Sequence, residues 1–201
     1  MRVERKPPII LIGGGGHASV LADILFSQGR EIRAIISPNN LAERKVFSSI
    51  THLKNDDDIL SFPRESVLLV NGIGMMPNCA LRQNLTSFYL DLGYSFETVI
   101  ASTAIVSPYA KISSGAQVFP NAVVNTGASI GEHSIINTGA VIEHDSVVES
   151  FCHVAPKAII CGQALCSSGS FIGAGATVIQ NVRLGKNIVV GAGETIRRDR
   201  L

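Results

Sequence analysis

Every sixth residue from Ile100 to Ile196 is apolar, and this repeat constrains the fold more than any other feature of the chain. The seventeen positions hold sixteen aliphatic residues and one cysteine. Between Ala104 and Ala176, the residue two before each apolar position is always alanine, serine or cysteine. A period of six matches neither an amphipathic helix nor the alternation of a hairpin strand. It is typical of a parallel β-helix, in which each hexapeptide supplies one short strand and one turn.

The repeat predicts where each side chain goes. The aliphatic residue points into a three-sided prism, and the small residue fits its crowded corner. Three hexapeptides close one coil of about 18 residues, so the run makes about five coils. Each coil buries its apolar ring only against its neighbours, as in any solenoid.

Residues 1–99 follow a different pattern, in which strand-like and helix-like segments alternate. This alternation predicts a small parallel sheet of Rossmann-like α/β type over residues 1–99. The hexapeptide repeat predicts an all-β parallel β-helix over residues 100–201. The expected strands are "PIILI", "EIRAIIS", "SVLLVNG" and "FETVI". The expected helices are "HASVLADILFSQG" and a segment from near Pro77 to Gly93.

Composition argues against several classes of protein. The net charge is +1 and no basic cluster is present, which disfavours a nucleic-acid partner. Mean hydropathy is high at +0.30, but no apolar run approaches the roughly 18–20 residues of a spanning helix. The basic start and "IILI" are followed by four glycines, so we expect a buried first strand and not a signal peptide. The four cysteines form no C-x-x-C pair, so neither a zinc nor a redox motif is indicated. Without a secretory signal we expect free, buried thiols in a reducing cytoplasm.

The glycine run that follows the first strand reads G-x-G-x-x-A from Gly13, a weak dinucleotide fingerprint. A dinucleotide site also calls for an acidic residue at the end of the second strand, where this chain has "IISPNN". NAD is therefore disfavoured. Glycines before a helix still suit phosphate groups, here the diphosphate of a sugar nucleotide.

His144 lies between two carboxylates, Glu143 and Asp145, within an otherwise apolar run. An imidazole can act as a general base near neutral pH, and a neighbouring carboxylate can hold its tautomer. With 18 residues per coil, small residues stack beyond this turn, and we expect a smooth groove for an extended thioester arm. The stacked sets are Asn137, Ala155, Gly173 and Gly191, and His144, Gly162 and Gln180.

These motifs together carry a family resemblance that covers nearly the whole chain. A hexapeptide run preceded by "IGGGGHA" and containing "NTGAVIEHDSVV" and "FCHVAP" resembles the left-handed β-helix acyltransferases of bacteria. The resembled subfamily N-acetylates nucleotide-linked amino sugars or O-acetylates sialic acid. The resemblance implies acetyl-CoA as co-substrate, no metal, and a homotrimer with active sites between subunits.

The resemblance also implies roles for individual residues. His144 would be the general base with Asp145 beside it, and the Gly162 amide would donate to the thioester carbonyl. The implied substrate-binding residues are Gly14, Gly15, Gly16, His17, Ser37, Pro38, Asn39, Gly72, Ile73, Gly74 and Asn137. The implied acetyl-CoA-binding residues are His153, Ala155, Gly162, Gly173, Ala174, Gly191, Ala192 and Arg198.

Several functions stay open from the sequence. The leading hypothesis is N-acetylation of a UDP-, dTDP- or GDP-linked aminodeoxy sugar for surface polysaccharide synthesis, in the cytoplasm. O-acetylation of sialic acid and non-catalytic binding of a sugar nucleotide are the alternatives. A zinc hydratase on the same prism is disfavoured, because His133, His144 and His153 are spaced unlike its metal ligands.

Overall fold

The computed structural model describes residues 6–201, which form two compact units. The first unit runs to Gly74 and resumes over Cys79–Glu97, and the second comprises Met75–Asn78 and Thr98–Leu201. The first unit thus ends at Glu97, close to the expected division at residues 99 and 100, and its chain is interrupted by a short segment that belongs to the second.

The first unit is a small parallel sheet with helices, as the alternating pattern predicted. Its strands lie in the order β3-β2-β1-β4, and every pair is parallel. The strands are β1 (Ile9–Ile12), β2 (Ile32–Ile36), β3 (Thr51–Leu53) and β4 (Leu68–Asn71). The α-helices are α1 (Gly16–Ser27) and α2 (Leu81–Asp91), and short 3-10 helices cover Lys45–Phe47, Asp56–Ser61 and Arg64–Ser66.

Burial explains why the central strand forms where it does. All four residues of β1 are buried, because β2 and β4 flank it on both edges and α1 packs on it. Such strands read as continuous apolar runs. Gly13 has a φ of +90°, which a residue with a side chain rarely adopts, and it turns the chain from β1 towards α1.

Three details of the first unit differ from the sequence prediction. The helix expected from Pro77 begins at Leu81, because Asn78 has a φ of +59° and interrupts any helix there. "FETVI" is not a strand of this sheet: Phe96 makes one bridge with Leu69, and Val99–Ile100 opens the second unit. Strand β3 was missed, since three residues are too short to show a period.

The second unit is the parallel β-helix that the hexapeptide repeat predicted. Each of its strands has two residues and pairs in parallel with the strand one coil away, as Val141 does with Ile159. The strands are β5 (Val99–Ile100), β6 (Ile105–Val106), β7 (Lys111–Ile112), β8 (Gln117–Val118), β9 (Val123–Val124), β10 (Ser129–Ile130), β11 (Ile135–Ile136), β12 (Val141–Ile142), β13 (Val147–Val148), β14 (His153–Val154), β15 (Ile159–Ile160), β16 (Leu165–Cys166), β17 (Phe171–Ile172), β18 (Thr177–Val178), β19 (Arg183–Leu184), β20 (Val189–Val190) and β21 (Thr195–Ile196).

Three sheets form the walls of this unit, and their inward residues form its core. The sheet orders are β19-β16-β13-β10-β7, β20-β17-β14-β11-β8-β5 and β21-β18-β15-β12-β9-β6. From Val118 onward every sixth-position residue is buried in one apolar cluster, and Ile100, Val106 and Ile112 pack against it. The small residues two positions earlier are buried as well from Ala116 to Ala176.

The structure shows how far each cysteine is buried and whether any helix could span a membrane. All four cysteines are free; Cys152 and Cys166 are buried, Cys161 is partly buried, and Cys79 is exposed, unlike the expected buried thiol. Burial raises the pKa of Cys152 to about 12, so the thiol stays protonated. Because the thiolate is the nucleophilic form, Cys152 contributes to core packing and not to catalysis. Of the helices formed by residues 6–201, none has the length and apolar character that crossing a membrane requires.

A matched pair of neighbouring isoleucines tests the inward and outward faces. Ile160 is fully buried and the adjacent Ile159 is 37% exposed. Ile160→Ala should lower the free energy of unfolding by about 2–5 kcal/mol, because it removes buried methylene groups and leaves a cavity. Ile159→Ala should cost under about 1 kcal/mol, as surface substitutions usually do. Denaturant unfolding measures both, and equal losses would contradict the assigned faces.

Candidate active site and nucleotide cleft

A cleft in the first unit lies at the carboxyl ends of its strands and has a volume of about 370 Å³. Parallel α/β sheets bind ligands at this edge, and the volume is that of a small-molecule site. The ten residues of this unit that the sequence analysis named as substrate-binding all line the cleft: Gly14, Gly15, Gly16, His17, Ser37, Pro38, Asn39, Gly72, Ile73 and Gly74. Their contact with a nucleotide remains a prediction.

The start of α1 gives the cleft an anion-binding end. Gly15 is the N-cap residue and supplies no side chain, so no side-chain oxygen caps the first turn. A Cβ built on Gly15 or Gly16 would meet nothing within 4 Å, so ligand atoms can approach this backbone. The uncapped N–H groups and the helix dipole favour phosphate oxygens here. Gly14 differs, because a Cβ there would collide with Leu41.

The loop after β4 is held in place by a buried arginine of α2. Arg82 is 2% exposed, and its guanidinium donates to the carbonyl oxygens of Asn71 at 3.0 Å and Ile73 at 2.6 Å. The Asn71 side chain accepts from the Ile73 N–H at 2.9 Å and donates to Thr86 Oγ1 at 2.9 Å. Burial lowers the pKa of Arg82 to about 9. Because buried donors and acceptors are expensive to separate, this network fixes the floor of the cleft.

Sequence reasoning missed six residues that also line this cleft: Ile12, Gly13, Ile36, Asp56, Leu81 and Leu85. Asp56 follows β3, the strand that the sequence did not reveal, so its place at the same sheet edge was hidden. Its carboxylate accepts a hydrogen bond of 2.7 Å from the hydroxyl of Tyr89. Burial, and then this carboxylate, raise the pKa of Tyr89. The only feature of the sequence that could have pointed to Asp56 is the run of three aspartates after Asn55, a residue type that often caps helices.

In the second unit, His144 lies on the turn after β12 and contacts Asp145. Its Nδ1 lies 2.9 Å from Oδ2 of Asp145, and the two side chains are 55% and 59% exposed. A carboxylate only accepts hydrogen bonds, so Nδ1 carries the proton and Nε2 of the neutral ring is free to act as a base. Asp145 has a φ of +58°, a region that aspartate tolerates better than most residues.

Gly162 lies next to the free side of this ring, one coil further along the prism. A Cβ at this position would be 2.6 Å from Nε2 of His144, so the imidazole occupies the space that any other residue would fill. Among residues 6–201, the peptide N–H of Gly162 donates to no partner, while its carbonyl accepts from the Asn181 N–H. A basic nitrogen and an unused donor therefore lie close together.

Glu143 does not share this role. Its carboxylate accepts from the side-chain amide of Asn125 at 2.9 Å, one coil back. The sequence left Glu143 and Asp145 both open as partners of His144, and the structure assigns Asp145.

His153 and Asn137 form a second polar cluster of the same unit. Nδ1 of His153 lies 3.0 Å from the Met75 carbonyl, which only accepts, so this nitrogen carries the proton. Nε2 then accepts from the Asn137 amide at 3.0 Å, and Asn137 Oδ1 accepts from the Thr138 N–H at 2.8 Å. His153 is 8% exposed and packs edge-on against Phe171. The His153 side chain lies on the outside of the prism, as expected, but its neighbours Met75, Asn137 and Phe171 shield it from solvent.

The stacked small residues do not form an open, smooth groove at positions 162 and 173, and acetyl-CoA binding by the predicted residues remains a prediction. The His144 ring covers Gly162, and Gly173 is covered by the next coil, since its Cβ would lie 2.6 Å from the Ala192 nitrogen. Ala155 is buried, whereas Ala174, Gly191, Ala192 and Arg198 are exposed. The small residues at 162 and 173 therefore permit close packing.

A grouping of metal ligands is not found in the described chain. Among residues 6–201, no three histidine, cysteine, aspartate or glutamate side chains are placed to hold one ion.

Comparisons with known proteins show relatives of this chain. Residues 8–87 match the family model of the PglD N-terminal domain. The perosamine N-acetyltransferase of Caulobacter crescentus, a histidine-to-asparagine variant with CoA and GDP-perosamine, is 31% identical, with a TM-score of 0.86 over 96% of this chain and 89% of that chain. A histidine-to-alanine variant of the same enzyme, also with CoA and GDP-perosamine, is 32% identical, with a TM-score of 0.83 and the same coverage.

A second relative is the acetyltransferase domain of PglB from Neisseria gonorrhoeae, in complex with acetyl coenzyme A. It is 26% identical, with a TM-score of 0.87 over 96% of this chain and 92% of that chain. No protein with a curated description matches the sequence. The chain belongs to the hexapeptide-repeat family of nucleotide-amino-sugar N-acetyltransferases. It is therefore an acyltransferase, and the predicted family is confirmed.

The contact between His144 and Gly162 makes a prediction for this acyltransferase. Gly162→Ala places a methyl group 2.6 Å from Nε2, so the imidazole must move off the prism wall. We expect the acetyl-transfer rate to fall by roughly 10²-fold or more, the scale of losing a positioned acid–base group. Steady-state kinetics measures the loss, and the thermal midpoint controls for the fold. Unchanged kinetics in a stable variant would contradict the proximity of ring and glycine.

Proposed function

We propose that this protein transfers the acetyl group of acetyl-CoA to the amine of a nucleotide-linked aminodeoxy sugar. The observation that carries the proposal is the His144–Asp145 pair, whose free Nε2 lies beside the unused N–H of Gly162. Its relatives support the proposal, since one binds CoA with GDP-perosamine and another binds acetyl coenzyme A.

The proposed chemistry follows from the needs of aminolysis of a thioester. The amine nitrogen attacks the acetyl carbonyl carbon, and Nε2 of His144 takes one proton from that nitrogen. The Gly162 N–H donates to the carbonyl oxygen while it gains negative charge. The carbon–sulfur bond then breaks, the proton passes to the leaving sulfur, and free CoA and an acetamido sugar result. Asp145 stabilises the imidazolium while the proton is held.

We assign recognition of the nucleotide to the cleft of the first unit. The diphosphate binds at the start of α1, where the glycine backbone at residues 15 and 16 is open. The loop over residues 72–74, fixed by Arg82, forms one wall beside it. We also assign Asn137, whose side-chain amide is oriented by His153, to substrate binding. We also place the product in surface polysaccharide synthesis in the cytoplasm, as the family resemblance implies.

We further propose that three copies associate through outward faces of the β-helix, with the active sites between subunits. Large apolar side chains on these faces are exposed, among them Ile105 and Tyr109. Apolar patches of this kind mark association surfaces, and closed symmetric assemblies are the usual result.

Light scattering coupled to size exclusion tests this assembly. The expected mass is about three times the 21.3 kDa of one chain. Charged substitution of an exposed apolar residue, Tyr109→Glu, should shift the mass towards that of a single chain. A monomer mass for the unaltered protein at micromolar concentration would contradict the proposed trimer.

Substitution of His144 tests the chemistry. His144→Asn keeps an approximate shape but removes the basic nitrogen, so the rate constant should fall by ~10²–10⁴-fold. Asp145→Asn should cost less, because orientation and charge are disturbed while the base remains. Release of free CoA thiol from acetyl-CoA, with a panel of amino-sugar nucleotides and sialic acid as acceptors, measures both.

Two controls keep this result unambiguous. Nucleotide binding to the His144→Asn variant should be close to that of the unaltered protein, because the ring lies outside the nucleotide cleft. If His144 only positions the amine, His144→Asn would lose less than about tenfold at high pH, where the amine is already deprotonated. A near-normal rate for His144→Asn would refute the general-base role, and thiol release with sialic acid alone would refute the amino-sugar substrate.

A further inference from the structure

The nucleotide cleft ends in a slot whose residues the sequence analysis only partly assigned. Pro38, Asp56, Leu81 and Leu85 line both the cleft and an adjoining groove, and we call these four residues the Asp56 slot. Three of them are apolar, and Leu81 is 50% exposed, so its side chain can be reached by a ligand. Apolar walls with one charged group at the edge suit a flat ring that carries hydrogen-bond donors on its rim.

The three consecutive aspartates do three different things, and only Asp56 is turned to the slot. Asp58 Oδ2 accepts from the N–H groups of Lys54 at 3.2 Å and Asn55 at 2.9 Å, so it caps the 3-10 helix. Asp57 is exposed on the same turn, and it lines the adjoining groove but not the cleft. Asp56 accepts from Tyr89, whose ring is fully buried, so the direction of this carboxylate is set by the core. Among residues 6–201, no other donor reaches the Asp56 carboxylate.

The chemistry of a carboxylate decides which base such a slot can accept. An ionised carboxylate only accepts hydrogen bonds, and it can accept two side by side. Guanine offers two adjacent donors, N1–H and the 2-amino group. The N3–H of uracil or thymine lies between two carbonyl oxygens, which a carboxylate repels. Adenine and cytosine place a ring acceptor next to their amino group, so each offers only one donor.

We propose that Asp56 selects guanine, and that the sugar substrate is carried on guanosine diphosphate. This inference rests on the proposed function and adds the identity of the nucleotide. The charges of the cleft support one orientation: the start of α1 attracts the diphosphate, and Asp56 repels it. The base therefore lies between Pro38 and the leucines of α2, with its donor edge on Asp56.

Binding of free nucleoside diphosphates to the full-length protein tests the proposal by calorimetry. GDP should bind tightest. Inosine diphosphate lacks only the 2-amino group, and it should bind about 10- to 100-fold more weakly, the value of a hydrogen bond to a charged acceptor. UDP and dTDP should bind at least as weakly as inosine diphosphate, because their carbonyl oxygens face the carboxylate.

Asp56→Asn replaces one hydrogen-bond acceptor with a donor, and it should change the preferred base from guanine to xanthine. Asp56→Asn presents an amide N–H beside an oxygen, which suits xanthine, where a 2-oxo group replaces the 2-amino group. We expect weaker GDP binding and stronger binding of xanthosine diphosphate, each by about 10-fold or more. Asp57→Asn removes the same charge from the same turn outside the slot, and it should keep the preference for GDP.

The outcomes separate this inference from the proposed function. Equal or tighter binding of UDP or dTDP than of GDP, or an Asp56→Asn variant with an unchanged ratio of GDP to xanthosine diphosphate, overturns the guanine assignment. Acetyl transfer to a UDP- or dTDP-linked amino sugar would then leave the proposed function intact. If no nucleoside diphosphate binds and no amino-sugar nucleotide is acetylated, both proposals fail. The comparison of GDP with inosine diphosphate needs no variant, so a poorly folding substitution does not block the test.

Discussion

The stacking of successive coils, with parallel backbone hydrogen bonds that join residues 18 apart, is the constraint on which the second unit depends. It aligns one inward aliphatic residue per strand into a single buried cluster. It also sets residues 144 and 162 on the same azimuth, which is why the ring of His144 can lie against Gly162. A shift of one residue would turn the aliphatic column outwards and separate the imidazole from the glycine. The register that buries the core therefore also assembles the candidate catalytic group.

The conformation of the turns between strands is a second constraint on the position of His144. Asp145 lies at a position with φ near +60°, and residues one coil away repeat the same geometry, as Gly127 and Gln163 do. A turn of this kind redirects the chain from one wall of the prism to the next within few residues, and it leaves the preceding side chain on the outside. Asp145 fills the turn position and at the same time holds Nδ1 of His144, so one residue serves both the backbone and the chemistry. Asparagine would keep the turn, because it also tolerates this region, but it would remove the charge.

Much of this architecture could be predicted from the sequence, and the limits are physical. The six-residue period specified every strand from β6 to β21, because each coil contacts only its neighbours and local pattern decides its structure. The first unit was less predictable. Its helix α2 begins at Leu81 and not at Pro77, because residues Met75–Asn78 belong to the second unit. Spacing placed Gly162 next to His144 but could not tell an open groove from a covered one. That distinction depends on side-chain directions, which a period does not encode.

The charged groups of the two units differ in how far they are buried and held in place, and we relate this difference to their proposed roles. The proposed nucleotide cleft is fixed by two buried residues: Arg82 holds the carbonyls of its loop, and Tyr89 holds the half-buried Asp56. On the proposed assignment, a fixed acceptor discriminates well because a wrong base leaves its hydrogen bonds unmade. The proposed catalytic pair, His144 and Asp145, is instead more than half exposed in the single chain, so a proton acceptor or donor can reach the imidazole. Selectivity would thus reside in the rigid cleft, and proton transfer in an accessible turn whose register is set by the stacked coils.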